Sequence, residues 1–255
     1  MMSKVFLSVI IPCYNESENI KRGVLEEVYG FLKRQKFVWE VIVSDDGSSD
    51  ESRDLVKKKL NKLDGFILLE NPHGGKPSAL LAGIKKARGK YILFSDMDQS
   101  TPIQELEKLL PYTKDNVEAV IGSRGVVRKD FPFYRKIGAV VFMLIRRFLI
   151  LPEIIDTQCG FKLFRADILK EVFPKLEFFK DKREKVGWIV TSYDVELLHL
   201  IKKKEGRIVE IPVFWQDKDE SKTKGSSLSK YIKESKNMFL QILRVRLNEL
   251  RGIYD

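Results

Sequence analysis

Three short runs set oxygen-bearing side chains directly behind apolar, β-branched stretches: Pro12-Cys13-Tyr14-Asn15-Glu16, Asp45-Asp46-Gly47-Ser48-Ser49-Asp50 and Asp96-Met97-Asp98. Asp96 and Asp98 stand two residues apart, so an extended backbone points both carboxylates to one side. Such a pair suits a hard cation such as Mg²⁺ or Mn²⁺, which takes oxygen ligands and commonly shares them with substrate phosphates. The same spacing also occurs in plain surface turns. His73-Gly74-Gly75-Lys76 is a glycine-rich turn ahead of a helical pattern. Its amides and lysine could approach an anion, or could simply make a tight turn. No GxGxxG follows the first apolar run and no GxxxxGK[ST] occurs anywhere, which disfavours dinucleotide-dependent dehydrogenases and P-loop nucleotide hydrolases.

The elements that must carry these runs follow from hydrophobic spacing. Phe6–Ile11, Glu40–Val43, Phe66–Leu69, Tyr91–Phe94 and Ala119–Ile121 read as strands alternating with helical patterns, which predicts βαβ units and a mostly parallel sheet flanked by helices. Ligands of such sheets collect at the carboxyl ends of the strands, so the three runs should meet in one crevice. Ile20, Val24, Val28 and Leu32 recur every fourth residue and predict one helix, with Asn15 and Glu18 as its capping box. Thr101 as N-cap, Pro102 in the first turn and Gln104 closing the box predict another helix start. Farther on, Phe133–Leu151 and Asp194–Lys204 read as helices and Arg207–Trp215 as a strand. Leu228–Leu250 reads as a long amphipathic helix able to pair two subunits, and Lys218–Ser229 as a mobile loop. His73 reads as a loop residue without metal partners, His199 as structural, and Trp215 as packing on the sheet.

The 255 residues carry a formal charge of +10, which fits nucleic acid, an anionic membrane face, a phosphorylated substrate, or the Lys/Glu-rich surface of heat-adapted proteins. Neither a basic recognition helix nor an aromatic platform is evident, so no nucleic-acid partner is expected. Cys13 and Cys159 belong to no CxxC pair and cannot build a disulfide framework, which fits a reducing compartment. Met1–Pro12 does not read as a signal peptide. The longest apolar stretch, Ile137–Ile150, is interrupted by Arg146 and Arg147, and a spanning helix needs roughly 20 apolar residues. Arg135, Lys136, Arg146 and Arg147 flank Ile137–Ile145, a pattern that fits a helix lying among lipid headgroups or a buried helix with solvated ends.

Ser8-Val9-Ile10-Ile11-Pro12-Cys13-Tyr14-Asn15-Glu16, Val41–Asp50 and Asp96-Met97-Asp98 together resemble the family 2 glycosyltransferases of the GT-A fold. Ile121-Gly122-Ser123-Arg124, Asp156-Thr157-Gln158-Cys159-Gly160-Phe161-Lys162-Leu163-Phe164, Asp194–Leu198 and Ile211–Gln216 narrow the resemblance to the dolichyl-phosphate β-glucosyltransferases. The resemblance implies a GT-A domain over residues 1–225, with 131–151 as a membrane-surface helix and 226–255 as a C-terminal amphipathic helix. It implies donor contacts from Pro12, Tyr14, Glu16, Asp45, Asp46, Lys76, Asp96, Met97 and Asp98, and a Mg²⁺ or Mn²⁺ held by Asp98 and Asp96. Arg124 and Lys222 would neutralise the leaving diphosphate, while Asp156 and Asp194 would lie near the acceptor and the sugar. The implied reaction is inverting transfer of glucose from UDP-glucose to dolichyl (polyprenyl) phosphate, with GDP-mannose as the alternative donor. Arg135, Lys136, Arg146 and Arg147 would then steer the lipid phosphate to the crevice from the cytoplasmic face of a membrane.

Overall fold

The central strands carry apolar side chains on both faces, so helices must cover each side. The computed structural model describes residues 4–115, 117–125, 133–180, 193–218 and 228–254. From the start of the chain run β1 (Leu7–Cys13), α1 (Ser17–Lys21), α2 (Val24–Leu32), β2 (Trp39–Asp45), α3 (Ser52–Leu60), β3 (Phe66–Glu70), α4 (Lys76–Lys86) and β4 (Tyr91–Phe94). Then come α5 (Leu106–Leu109), β5 (Ala119–Ser123), α6 (Phe133–Leu149), β6 (Lys162–Arg165), α7 (Ala166–Val172) and α8 (Glu177–Lys180). The described chain closes with α9 (Tyr193–Lys203), β7 (Ile208–Pro212) and α10 (Leu228–Leu250).

One sheet orders the strands β3-β2-β1-β4-β6-β5-β7. All its pairings are parallel except those of β6, which runs antiparallel to both β4 and β5. The side chains alternate as a pleat requires. Val9, Ile11, Val41, Val43 and Leu93 join the core under α2 and α3, while Ile10, Ile42, Ile92 and Phe94 join the core under α4, α7 and α9. The sheet turns at β1, with β2 on one side and β4 on the other. Strand order diverges there, and the carboxyl ends of β1 and β4 open a crevice, the usual ligand position in such sheets.

Three local expectations are corrected. The helix through Ile20 and Leu32 is two helices, because Gly23 takes φ 96° between α1 and α2; the fourfold spacing survives the break. Asn15 does not cap α1: its Oδ1 accepts the amides of Ser49 (2.9 Å) and Asp50 (3.3 Å) instead. The Thr101 start begins a 3-10 turn at Ile103 with no side-chain cap. The strand β6 had no counterpart in the periodicity, being four residues wedged between two helical patterns.

Candidate active site

The floor of the crevice beneath β1 and β2 is tied together by main-chain hydrogen bonds. Amides of Asn15 and Glu16 donate to Ser48 Oγ (3.0 Å) and Ser52 Oγ (2.8 Å). Asp45, wholly buried, accepts the amides of Gly47 and Ser48 and the Nε of Arg53 through Oδ2. Asp46 accepts the Gly74 and Gly75 amides, each at 2.9 Å. Burial pushes its carboxyl above the ordinary range, against the pull of those amides and of His73. The His73 ring stacks on Tyr14, with centroids 4.6 Å apart and planes 26° apart. The glycine turn therefore does hold an anion with its amides, but the anion is the protein's own Asp46.

Behind β4, Lys76 donates to Asp96 Oδ1 at 2.6 Å, and 39% of each side chain is exposed. Burial works to raise the Asp96 carboxyl; Lys76, then Lys162 and Arg124, outweigh it and set it below the usual carboxylate value. Asp98 is held by Ser100, whose amide and Oγ donate to its two oxygens at 2.8 Å each. Arg22 donates to the Asp98 carbonyl at 2.7 Å. Gln99 takes φ 49°, a region non-glycine residues seldom occupy, and turns its amide nitrogen inward to Ser95 and the Asp96 carbonyl. Its buried Oε1 has no partner among the described residues.

The opposite wall is built from long-range ion pairs. Arg124, at the end of β5, grips Asp156 with Nε at 2.7 Å and Nη2 at 2.8 Å. Both side chains are nearly buried, and Trp215 lies 5.8 Å from the guanidinium. Glu210 on β7 fixes the Asp156 loop by accepting the amides of Ile155 and Asp156, both at 2.7 Å. Lys162, 1% exposed, donates to Asp194 Oδ1 at 2.7 Å and to the Cys159 carbonyl. Because β6 is antiparallel, its amino end, not its carboxyl end, reaches the crevice, and Lys162 pairs in register with both Phe94 and Ile121. Gly160 lies so close to Asp96 that a Cβ there would stand 1.9 Å from Oδ2.

Residues 8–173 match Glycosyl transferase family 2. The chain belongs to that family. It is a glycosyltransferase, similar over most of its length to proteins named dolichyl-phosphate beta-glucosyltransferase. The one from Saccharomyces cerevisiae is 33% identical over 282 residues, covering 98% of this chain and 77% of the relative. The one from Dictyostelium discoideum is 32% identical over 270 residues, covering 99% and 77%. Among solved structures, glucosyl-3-phosphoglycerate synthase from Mycobacterium tuberculosis, in complex with Mn²⁺, UDP and glucosyl-3-phosphoglycerate, superposes with a TM-score of 0.63. That match has 15% identity over 95% of this chain and 80% of that one, and the likeness is one of fold.

In this family 2 transferase the structure brings Tyr14, Asp46, Lys76, Asp96, Asp98, Arg124, Asp156 and Asp194 to one end of the sheet. Other expectations change. The Met97 side chain is buried in the core. Asp45 shapes the β2 turn from within. Arg146, expected among headgroups, is 1% exposed and donates to the Ile155 carbonyl at 2.6 Å. Its Nε and Nη1 have no partner among the described residues, and burial brings its guanidinium down to about 10. Arg147 is exposed and donates to the Pro152 carbonyl. Lys222 lies outside the described residues, as do the side chains of Arg135 and Lys136. Lys162, Ser100, Glu210 and Gly160 have no role in the sequence reading: Lys162 and Glu210 act through partners distant in sequence, Ser100 through Asp98 two residues before it, and Gly160 through the space it leaves, although Gly160 and Lys162 fall inside the Asp156–Phe164 segment.

Among the described residues no helix is long and apolar enough to cross a membrane, and no cluster of three or more His, Cys, Asp or Glu could hold a metal unaided. The donor set fits a shared cation better than a caged one. Asp98 supplies carboxylate oxygens, the Gln99 Oε1 acceptor lies buried at the same turn, and Mg²⁺ or Mn²⁺ usually completes such a shell from substrate phosphates and water.

Proposed function

We propose that this transferase moves glucose from UDP-glucose to a polyprenyl (dolichyl) phosphate, with inversion, at a membrane surface. The observation that carries the reading is the Asp156–Phe164 segment. It forms β6 and sets two cation–carboxylate pairs, Arg124–Asp156 and Lys162–Asp194, beside Asp96. The names of the relatives that are similar over most of the chain supply the acceptor class.

In the proposed reaction, an oxygen of the lipid phosphate attacks the anomeric carbon in line as the bond from that carbon to the nucleoside diphosphate breaks. The attacking phosphate is already anionic at neutral pH, so little general-base help is needed. Stabilising the departing diphosphate is the larger demand. Lys76 and Arg124 bring positive charge to the side where it leaves, and Asp96 keeps Lys76 oriented. A divalent cation held by Asp98 would supply further charge neutralisation of the diphosphate when bound. Asp156 holds Arg124 between the departing diphosphate and the arriving phosphate, and Asp194 holds Lys162 on the acceptor side. Tyr14 and Asp46 hold the base and ribose end.

Support for the membrane surface comes from α6 and α10, which pack together. Val141, Leu144 and Phe148 line one exposed face of α6 at 48%, 54% and 89%, beside exposed Arg147. Leu240, Leu247 and Leu250 are exposed on α10, with Arg246 and Arg251 next to them. Apolar faces bordered by cations suit an anionic lipid surface. The deciding experiment incubates the enzyme and a short polyprenyl phosphate with UDP-glucose or GDP-mannose, with and without chelator. Glucosyl lipid formed from UDP-glucose and lost on chelation is expected; transfer from GDP-mannose alone would overturn the sugar and base, and full activity in chelator the cation.

A further inference from the structure

We propose that His73 is a positioning residue for the donor's base, fixing the plane of Tyr14 so that a nucleobase stacks on a ring that is already ordered. The inference rests on the nucleotide-sugar reading above and adds a residue that neither the motifs nor the family match assigned. His73 sits in the loop between β3 and α4, where a histidine with 46% of its side chain exposed has no call to be held rigidly for packing. It is held from several sides nonetheless. Nδ1 lies 2.9 Å from the Asp46 carbonyl and 2.9 Å from Asp46 Oδ2; both are acceptors, so Nδ1 carries the hydrogen. The next two amides bind the same carboxylate. Gly47 passes so near that a Cβ there would meet the His73 backbone nitrogen at 2.7 Å and its Cβ at 2.9 Å.

With the imidazole fixed in this way, its stack against Tyr14 fixes the phenol ring as well. Tyr14 is itself 37% exposed, at the carboxyl end of β1, and the loop after it is pinned by Asn15 to the β2 turn. A ring ordered before binding loses less conformational freedom when a ligand stacks on it, which raises affinity without a new contact. The ring face touches Tyr14 directly, while the bond to Asp46 only adds to the hold that the Gly74 and Gly75 amides and the close pass of Gly47 already give the loop, and two substitutions separate face from bond. H73F keeps a ring and loses the bond; H73N keeps a side-chain N–H for Asp46 and loses the ring.

The test titrates UDP, in buffer containing Mg²⁺, into the full-length protein and both variants by calorimetry. It also measures KM and kcat for the nucleotide sugar. H73N is expected to weaken UDP binding by roughly three- to tenfold, the scale of one aromatic stack, raising KM while kcat moves far less; H73F is expected to restore most of the loss. Equal loss in both variants, loss in H73F alone, or loss in neither overturns the proposal. A wild-type protein that binds neither UDP nor GDP overturns the proposed function, and this inference falls with it.

Discussion

On the wall formed by β1, β2 and β3, main-chain amides are the common partners of the carboxylates; on the wall formed by β5, β6 and α9, buried side-chain cations are. Asp45 and Asp46 each accept two amides from nearby turns, Asp45 taking Arg53 Nε besides, and Asn15 ties the β1 loop to the β2 loop in the same manner. Asp156 also accepts the Arg124 and Gln158 amides, but it is gripped by the Arg124 guanidinium, and Asp194 faces Lys162. Backbone contacts make a rigid mould, suited to a ligand part that does not change during the reaction. Ion pairs make a surface whose cations can be shared with an arriving phosphate, since an ammonium or guanidinium has several donors and one carboxylate need not occupy them all. Asp96 lies between the two walls: it follows β4, the parallel strand beside β1, and is paired with Lys76.

The sharpest way to break this contrast is to remove one carboxylate from each role. Asp98→Ala should reduce transfer by roughly 10²–10³-fold or more, the scale of losing a principal stabiliser of leaving-group charge, and should suppress slow donor hydrolysis as well. Asp156→Ala should abolish transfer to the lipid while UDP release to water persists. Parallel assays of glucosyl lipid and free UDP test this, and equal loss of both activities in Asp156→Ala would erase the division into donor and acceptor walls. A smaller effect is expected beneath the second wall. Arg146 is buried with two nitrogens unpaired, and such charges often cost stability relative to an apolar residue of similar size. Arg146→Met should therefore raise the free energy of unfolding by about 1–3 kcal/mol, read from denaturant titration; a loss of that size would mean the guanidinium is held by the fold for its own stability. The smallest effect concerns Asp96. Its carboxyl is held below the ordinary value in the folded state, so its contribution is complete above about pH 4 and is lost as pH falls through the lower folded-state value. Lys76→Met should flatten that acid-side decline by a few tenths of a kcal/mol, since solvent screens so exposed a pair. An unchanged slope between neutral and acid pH would show that Lys76 does not set the Asp96 carboxyl.

The difference between the walls also explains what could be read in advance. Sequence order carries the first wall, because each strand ends in its own contiguous run, and β1 to β5 fall within a few residues of where their apolar stretches place them. The mostly parallel α/β sheet and the crevice follow from that alternation, and the GT-A class from the resemblance that those runs carry. The second wall is made by partners 32 residues apart, Arg124 with Asp156 and Lys162 with Asp194, and no local period announces such a pairing. Its strand β6 is four residues long and antiparallel, a choice made by the sheet around it. The mistaken Asn15 cap has a similar origin. Asn-x-x-Glu is a sound local signal, but here the asparagine finds better acceptor work with two amides more than 30 residues away. Arg146 reads as a surface charge because it interrupts an apolar run, and only the tertiary packing reveals that it points inward.

Gly160 bears on how such an enzyme could be diversified. Because no side-chain carbon fits between this backbone and the Asp96 carboxylate, the proposed acceptor segment and the end of β4 are keyed together at a single point without room for error. Exchanging the Asp156–Phe164 cassette for one from a transferase of different acceptor preference should work only if the incoming segment also brings a glycine in this place. The selectable unit for changing the acceptor is thus the cassette together with its fit to Asp96, and libraries that randomise the cassette while allowing a larger residue at 160 would consist mostly of inactive members.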